Sequence, residues 1–217
     1  MTRHLPTVLL MGGIFALAAC DAAPTEPLAA PDGAQESSAL APGDASIVDI
    51  VVASSEADDA EFTLLRAAIE YIAATNEGSA LLARLADRSQ VTVFAPTDQA
   101  FVDLVNAVAP LVDGDILANE GPFAAIDALL GAGTIEAVVS YHVTAGRRAA
   151  RSVVPAGRSP RPRTIQTLLD GASFQVTNAG QIVAVGNTAN IVAADVSASN
   201  GIVHVIDAVI LPVDLGL

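Results

Sequence analysis

The chain has 217 residues and carries 24 acidic against 10 basic side chains, every basic one an arginine. A formal charge of −14 opposes general binding to nucleic acid, whose phosphates call for a basic surface. With Cys20 as its one cysteine the chain has no internal disulfide, so the folded part is held by burial alone.

The first residues, MTRHLPTVLLMGGIFALAAC, combine a basic start at Arg3, an apolar run from Leu5 to Leu17 and small residues before Cys20. This is the pattern of a secretory signal, too short for a stable membrane span. Its end, Leu17-Ala18-Ala19-Cys20, resembles the lipobox of bacterial lipoproteins, which implies a signal over residues 1–19 and acyl chains on Cys20 that anchor the protein to a membrane. Residues 20–45, rich in Ala, Pro and acid, show no periodic apolar face and read as a disordered tether, about 25–30 Å in mean span. The expected location is the bacterial envelope, periplasmic or surface-facing.

From about Ser46 the chain reads as one folded domain, extending to residue 214. Leu64, Leu65, Ala68, Ile69 and Ile72 recur at helical spacing behind the acidic run Asp58-Asp59-Ala60-Glu61, and Asn76 to Gly78 end that helix. A short helix around Leu81, Leu82 and Leu85 leads into VTVFAPTDQAF. There Val91, Val93 and Phe94 form a buried strand that Pro96 stops, and Thr97 caps a helix whose buried face is Phe101, Leu104, Val105 and Val108. Asp98 falls in the first turn of that helix, where negative charge is welcome. VDGDILANEGP reads as a loop, and Pro122 opens a helix to about Leu130. Ile135, Val138, Val139 and His142 then share one helical face.

From Thr164 the pattern changes to strands: TIQTLL, SFQVT, QIVAVG, NIVAADV, and a final pair, VSAS and IVHVIDAVILP, with Asn200-Gly201 expected as the hairpin turn between them. Ile202, His204 and Ile206 fall on one face of the last strand, Val203, Val205 and Asp207 on the other. The fold class is α+β, helices mostly first and a mostly antiparallel sheet after them.

Three blocks, VTVFAPTDQAF, SYHV and SNGIVHVIDAVILP, together resemble the fasciclin (FAS1) domain, in which two signature boxes flank a Tyr-His pair. The matching positions are Thr97, Asp98, Phe101, Tyr141, His142, Asn200, Gly201 and His204. The resemblance implies a wedge-like sheet core flanked by short helices, no cofactor, and a noncatalytic role in cell adhesion through protein or glycan contacts. A periplasmic module for a soluble glycan or small ligand, and a purely structural envelope protein, are the competing classes.

His142 shares its face with Ile135, Val138 and Val139 and is expected as a hydrogen-bonded core histidine rather than a ligand. Asp113, Asp115 and Glu120 lack calcium-loop spacing, and His204 has no second ligating side chain near it in sequence. No nucleophile elbow, phosphate loop or zinc motif is present, so no catalytic residue is assigned. The remaining feature is a run of arginines, Arg147, Arg148, Arg151, Arg158, Arg161 and Arg163, with no acidic residue between Glu136 and Asp170. Guanidinium forks suit phosphate and carboxylate groups, which makes these six the candidate contact residues for an anionic glycan, lipid headgroup or acidic protein.

Overall fold

The computed structural model describes residues 44–57, 60–112, 114–157 and 161–216. The lipobox, Cys20, most of the tether, Asp58, Asp59, Asp113 and Arg158 lie outside them.

Helix α1 (Ile47–Ser55) starts on a capping box: Ser46 accepts from the Asp49 N–H, and the Asp49 carboxylate accepts from the Ser46 N–H. Helix α2 (Thr63–Thr75) buries Leu65, Ala68 and Ile72. It does not start on the acidic run, because Phe62 precedes it in the left-handed region (φ 64°) and offers no side-chain cap. Its orphan N–H groups go to a carboxylate from another element: Asp98 Oδ2 accepts from Thr63 at 3.1 Å and Oδ1 from Leu64 at 2.8 Å. Helix α3 (Ala80–Ala86) buries Leu81 and Leu85 against the same layer.

Strand β1 (Val91–Pro96) is buried along its whole length. The corner after it forms as expected, with Thr97 Oγ1 accepting from the Ala100 N–H at the start of α4 (Asp98–Val108). Where a loop was expected, a short 3-10 turn (Ala109–Leu111) leads to α5 (Gly114–Asn119), a six-residue helix with no buried residue. Without a buried apolar face it leaves no periodic signal to read. Helices α6 (Pro122–Leu130) and α7 (Thr134–Tyr141) complete the helical layer.

The sheet has seven strands in the order β2-β1-β7-β6-β5-β4-β3. Strand β2 (Val143–Ala145) pairs antiparallel with β1 and was not anticipated, being only three residues long. The four-residue helix α8 (Ala150–Val153) lies within the arginine segment. Strands β3 (Arg163–Gln166), β4 (Ser173–Val176) and β5 (Gln181–Val183) form an antiparallel meander with β6 (Thr188–Ala198). NIVAADV and VSAS, read as separate strands, are this one strand, with register shifts at Ile191/Ala193 and Ala193/Val196. Strand β7 (Gly201–Ile206) returns antiparallel to β6 and parallel to β1, from Val91 opposite Gly201 to Pro96 opposite Ile206. The two end strands are stitched to each other: Leu168 N–H donates to the Val143 carbonyl at 2.7 Å, and Thr144 Oγ1 to the Gln166 carbonyl at 2.6 Å. Edge groups that would otherwise template foreign strands are thereby used.

The alternation expected in the last strand sorts its side chains between two cores. Val203 joins Val91, Val93 and Ala95 beneath the helices, whereas Ile206 joins Phe94, Tyr141, Ile165 and Phe174 on the opposite side. Phe94 meets Phe174 edge to face at 5.0 Å, a favoured aromatic arrangement.

Candidate functional site

Asn200 and Gly201 do not form the turn that their dipeptide suggests. Ala198 pairs with Gly201, so the turn residues are Ser199 and Asn200, and neither has the positive φ of a type I′ turn. Gly201 is needed for packing instead. A Cβ there would lie 2.1 Å from the Val91 carbonyl oxygen and 2.8 Å from Ile47 Cδ1. Asn200, 4% exposed, works as a clamp. Its Oδ1 accepts from the Ile47 N–H at 2.9 Å, and its Nδ2 donates to the carbonyls of Leu85 (2.9 Å) and Asp87 (3.3 Å). Its own carbonyl accepts from the Val91 N–H. One side chain thus joins the start of α1, the end of α3 and the β6–β7 hairpin.

His142 is 3% exposed at the C-terminal end of α7. Its Nδ1–H donates to the Val138 carbonyl at 2.7 Å, and its Nε2 accepts from the Ile210 N–H at 3.0 Å. Burial lowers its pKa to about 4, so the ring is neutral at pH 7 with its proton on Nδ1. Tyr141 is fully buried, donates to the Ser173 carbonyl, and has its pKa raised by burial. Neither side chain is presented to a partner. Asp98 is spent on the N-terminus of α2, and Phe101 packs edge to face on Phe123 at 6.2 Å.

His204 leads to the arginines. It is fully buried against Phe94, its Nδ1 accepts from the Asp195 N–H at 3.2 Å, and its Nε2–H donates to the Arg148 carbonyl at 2.9 Å. Asp195 is itself left-handed (φ 62°) at the β6 irregularity, and its carboxylate accepts from the Ala150 N–H at 2.7 Å. Thr92 Oγ1 accepts from the Arg148 N–H at 2.8 Å and donates to the Gly146 carbonyl. Three residues of three strands therefore fix the backbone from Gly146 to Ala150. Sequence reasoning missed this role for Thr92 and Asp195, because it depends on strand neighbours distant in the chain.

The arginine side chains divide into two kinds. Arg147 donates to the Ala198 carbonyl (2.8 Å) and Ser197 Oγ (2.6 Å), Arg148 Nε to the Ala145 carbonyl (3.2 Å), and Arg163 to the Ser152 carbonyl. Arg151 and Arg161 are exposed and make no such bond among the described residues. None of the five is ion-paired among the described residues, where both ion pairs belong to Arg66, with Glu56 and Glu70.

Of the concavities that lie elsewhere, two bear on ligand binding. The cavity between α4, α6, α7 and the C-terminal segment is apolar and about 30 Å³, room for little more than a water molecule. The open cleft of about 460 Å³ beside α2 carries Tyr71, Asn76, Asp127 and Glu136, whose polar groups are engaged with protein: Tyr71 with Asp127, and Asn76 and Ser79 with Glu136. Among the described residues no three His, Cys, Asp or Glu side chains are grouped to hold a metal ion.

The fasciclin domain family model matches residues 62–212. Protein sll1483 of Synechocystis sp. is 32% identical over 158 residues, covering 64% of this chain and 83% of that protein. Among solved structures, a FAS1 domain pair from the insect cell adhesion molecule fasciclin I is similar, with 18% identity and a TM-score of 0.42 over 69% of this chain. The match spans 45% of that solved chain. Both signature boxes, paired side by side as β1 and β7, and the Tyr-His pair at the end of α7 lie within the matched residues, and the chain belongs to the fasciclin domain family.

Proposed function

We propose that this chain is a noncatalytic contact module of the bacterial envelope, anchored through a lipid on Cys20, and that the arginine segment after β2 is its contact face. Fasciclin domains are commonly adhesion-related and generally noncatalytic, which supports the class of function. The observation that carries the choice of face is electrostatic. In a chain with 24 acids, five described arginines of one segment stand without a carboxylate partner. An isolated protein gains nothing by collecting unpaired like charges; an anionic partner turns them into charge-assisted hydrogen bonds. The Tyr-His pair and both signature boxes serve the core, and the face they hold in place makes the contact.

The test is sedimentation of the protein with envelope fractions across a salt series, comparing wild type with Arg151→Glu/Arg161→Glu. Both positions are exposed and make no side-chain hydrogen bond among the described residues, so the exchange leaves the core intact. Wild-type binding is expected to weaken steeply as salt shortens the screening length to about 8 Å and below. The double variant is expected to bind at background. Equal binding by both proteins at every salt concentration would remove the arginine face from the function.

A further inference from the structure

We infer a second binding site, away from the arginines. Residues 212–216 form a strap over an apolar groove between α4, α6 and α7, and when the strap lifts the groove takes a neutral long-chain apolar molecule. The site stands or falls independently of the arginine face.

The strap is legible in its sequence and in its bonds. Leu211, Val213 and Leu215 alternate with Pro212, Asp214 and Gly216, the pattern of an extended segment that lays every second side chain on one surface. All three apolar residues line the cavity, facing Leu104 of α4, Ile126 and Leu130 of α6 and Val138 of α7. At Leu211 the backbone is held: its N–H donates to Asn187 Oδ1 at 3.0 Å, and its carbonyl accepts from the Gly186 N–H at 3.1 Å. Beyond Leu211, among the described residues, no hydrogen bond ties residues 212–216 to the rest of the domain; the Gly216 N–H donates to Asp214 within the segment itself. A stretch held by the side chains of Val213 and Leu215, with no ladder behind them, opens locally at low free energy. Its seat is nonetheless specific, since a Cβ at Gly186 would lie 2.0 Å from the Val213 carbonyl oxygen.

The walls of the groove select its occupant. They present no polar surface: Thr134 is the hydroxyl residue among them, and its hydroxyl donates to the Gly131 carbonyl. Whatever is buried there has to be apolar along its length, because a polar group would go unpaired. Charge then selects the head group. Helices α4, α6 and α7 and the strap carry Asp98, Asp103, Asp127, Glu136 and Asp214 and no basic side chain. Helix α2 lends Ala68 to the lining, but its Arg66 is paired to Glu56 and Glu70. A fatty acid would bring its carboxylate to an acidic rim, whereas a neutral chain such as a long alcohol needs no counter-charge. Leu130 and Val213, 37% and 47% exposed, give that rim an apolar edge at which the head meets water. With the strap seated the space is about 30 Å³. Lifting Val213 and Leu215 adds the room of about seven side-chain carbons, over which each methylene of a ligand gains from burial.

The experiment titrates the full chain at neutral pH with straight-chain primary alcohols of graded length, and in parallel with the matching carboxylates, by calorimetry and by the methyl resonances of Val213 and Leu215. Alcohol affinity is expected to rise about fourfold per added methylene until the groove is filled, with the carboxylates about tenfold weaker. Gly186→Ala, which pushes Val213 aside without altering the helical walls, is expected to tighten alcohol binding several-fold, because less of the protein is held closed. Leu215→Ala, which shortens the plug, should act in the same direction and serves if Gly186→Ala does not fold. Leu130→Glu, at the half-exposed rim, is expected to abolish binding. No saturable alcohol binding by wild type or by either strap variant would overturn the site. Carboxylates as tight as alcohols would overturn the neutral ligand. Binding that ignores Leu130→Glu, or that leaves the Val213 and Leu215 methyl resonances unmoved, would overturn the strap and its groove.

Discussion

Lowering the pH should destabilise this domain through one buried ring. His142 uses both nitrogens in the native state, one as donor to Val138 and one as acceptor from Ile210. A second proton would set an imidazolium N–H against the Ile210 N–H in a site 3% exposed to solvent. Its folded pKa of about 4 lies below the ordinary imidazole value of 6.5, so the unfolded chain takes up the proton first. The contribution is therefore fully present above about pH 6.5 and declines as pH falls through the window down to 4. At 1.36 kcal/mol per pKa unit the whole window is worth about 3 kcal/mol, of which about 2.5 is gone by pH 4.5. Urea unfolding of wild type and His142→Gln at pH 7.5, 6.5, 5.5 and 4.5 isolates the ring, because carboxylates titrate alike in both proteins. At pH 7.5 the variant should be less stable by about 1–3 kcal/mol, having lost a well-placed buried hydrogen-bond pair. By pH 4.5 that deficit should vanish or reverse. A wild-type advantage constant to within about 0.5 kcal/mol over this range would refute the reasoning.

Three further substitutions probe the clamps. Gly201→Ala should cost about 3 kcal/mol or more in thermal or urea unfolding, since the added methyl meets the Val91 backbone at 2.1 Å and cannot rotate away. Asn200→Ala should cost about 2–4 kcal/mol by the same assay, because it strands the Ile47 N–H and the Leu85 carbonyl. Asp98→Ala should cost about 1–2 kcal/mol as a lost helix cap and leave envelope binding unchanged, a combination that separates its structural role from a ligand role.

Much of the architecture was legible where local chemistry decides it. The Pro96 stop, the Thr97 cap and the apolar face of α4 were all read from adjacent residues, and the helix begins at Asp98 as that reading requires. Ser46 and Asp49 carried the same kind of signal for α1 and were passed over, although a Ser-x-x-Asp box before an apolar run is a recognisable start. Non-local demands were not legible. Asn200-Gly201 carries a strong local turn signal, yet the close approach of Val91 sets the use of that glycine and shifts the turn back by one residue. Phe62 and Asp98 show the same limit, because the cap of α2 comes from 34 and 35 residues away.

The candidate site follows that division. The arginines were visible as composition, a basic run in an acidic chain. Their sorting into tethered and free side chains depends on carbonyls of β2, β6 and α8, which no local pattern reveals. The buried state of His204 was equally hidden in its function: its ring supports the Arg148 carbonyl from beneath, so a residue of the second signature box shapes the surface without reaching it.

Chemical footprinting of the arginines tests the contact face most directly. The protein would be treated with phenylglyoxal, which modifies accessible guanidinium groups, in the presence and absence of envelope material, and the labelled positions read by mass spectrometry. Arg151 and Arg161 should be protected by the envelope material, with Arg84 and Arg88, exposed near the end of α3, labelled equally in both conditions. Equal labelling of all four, under conditions where the protein sediments with the envelope, would contradict the account.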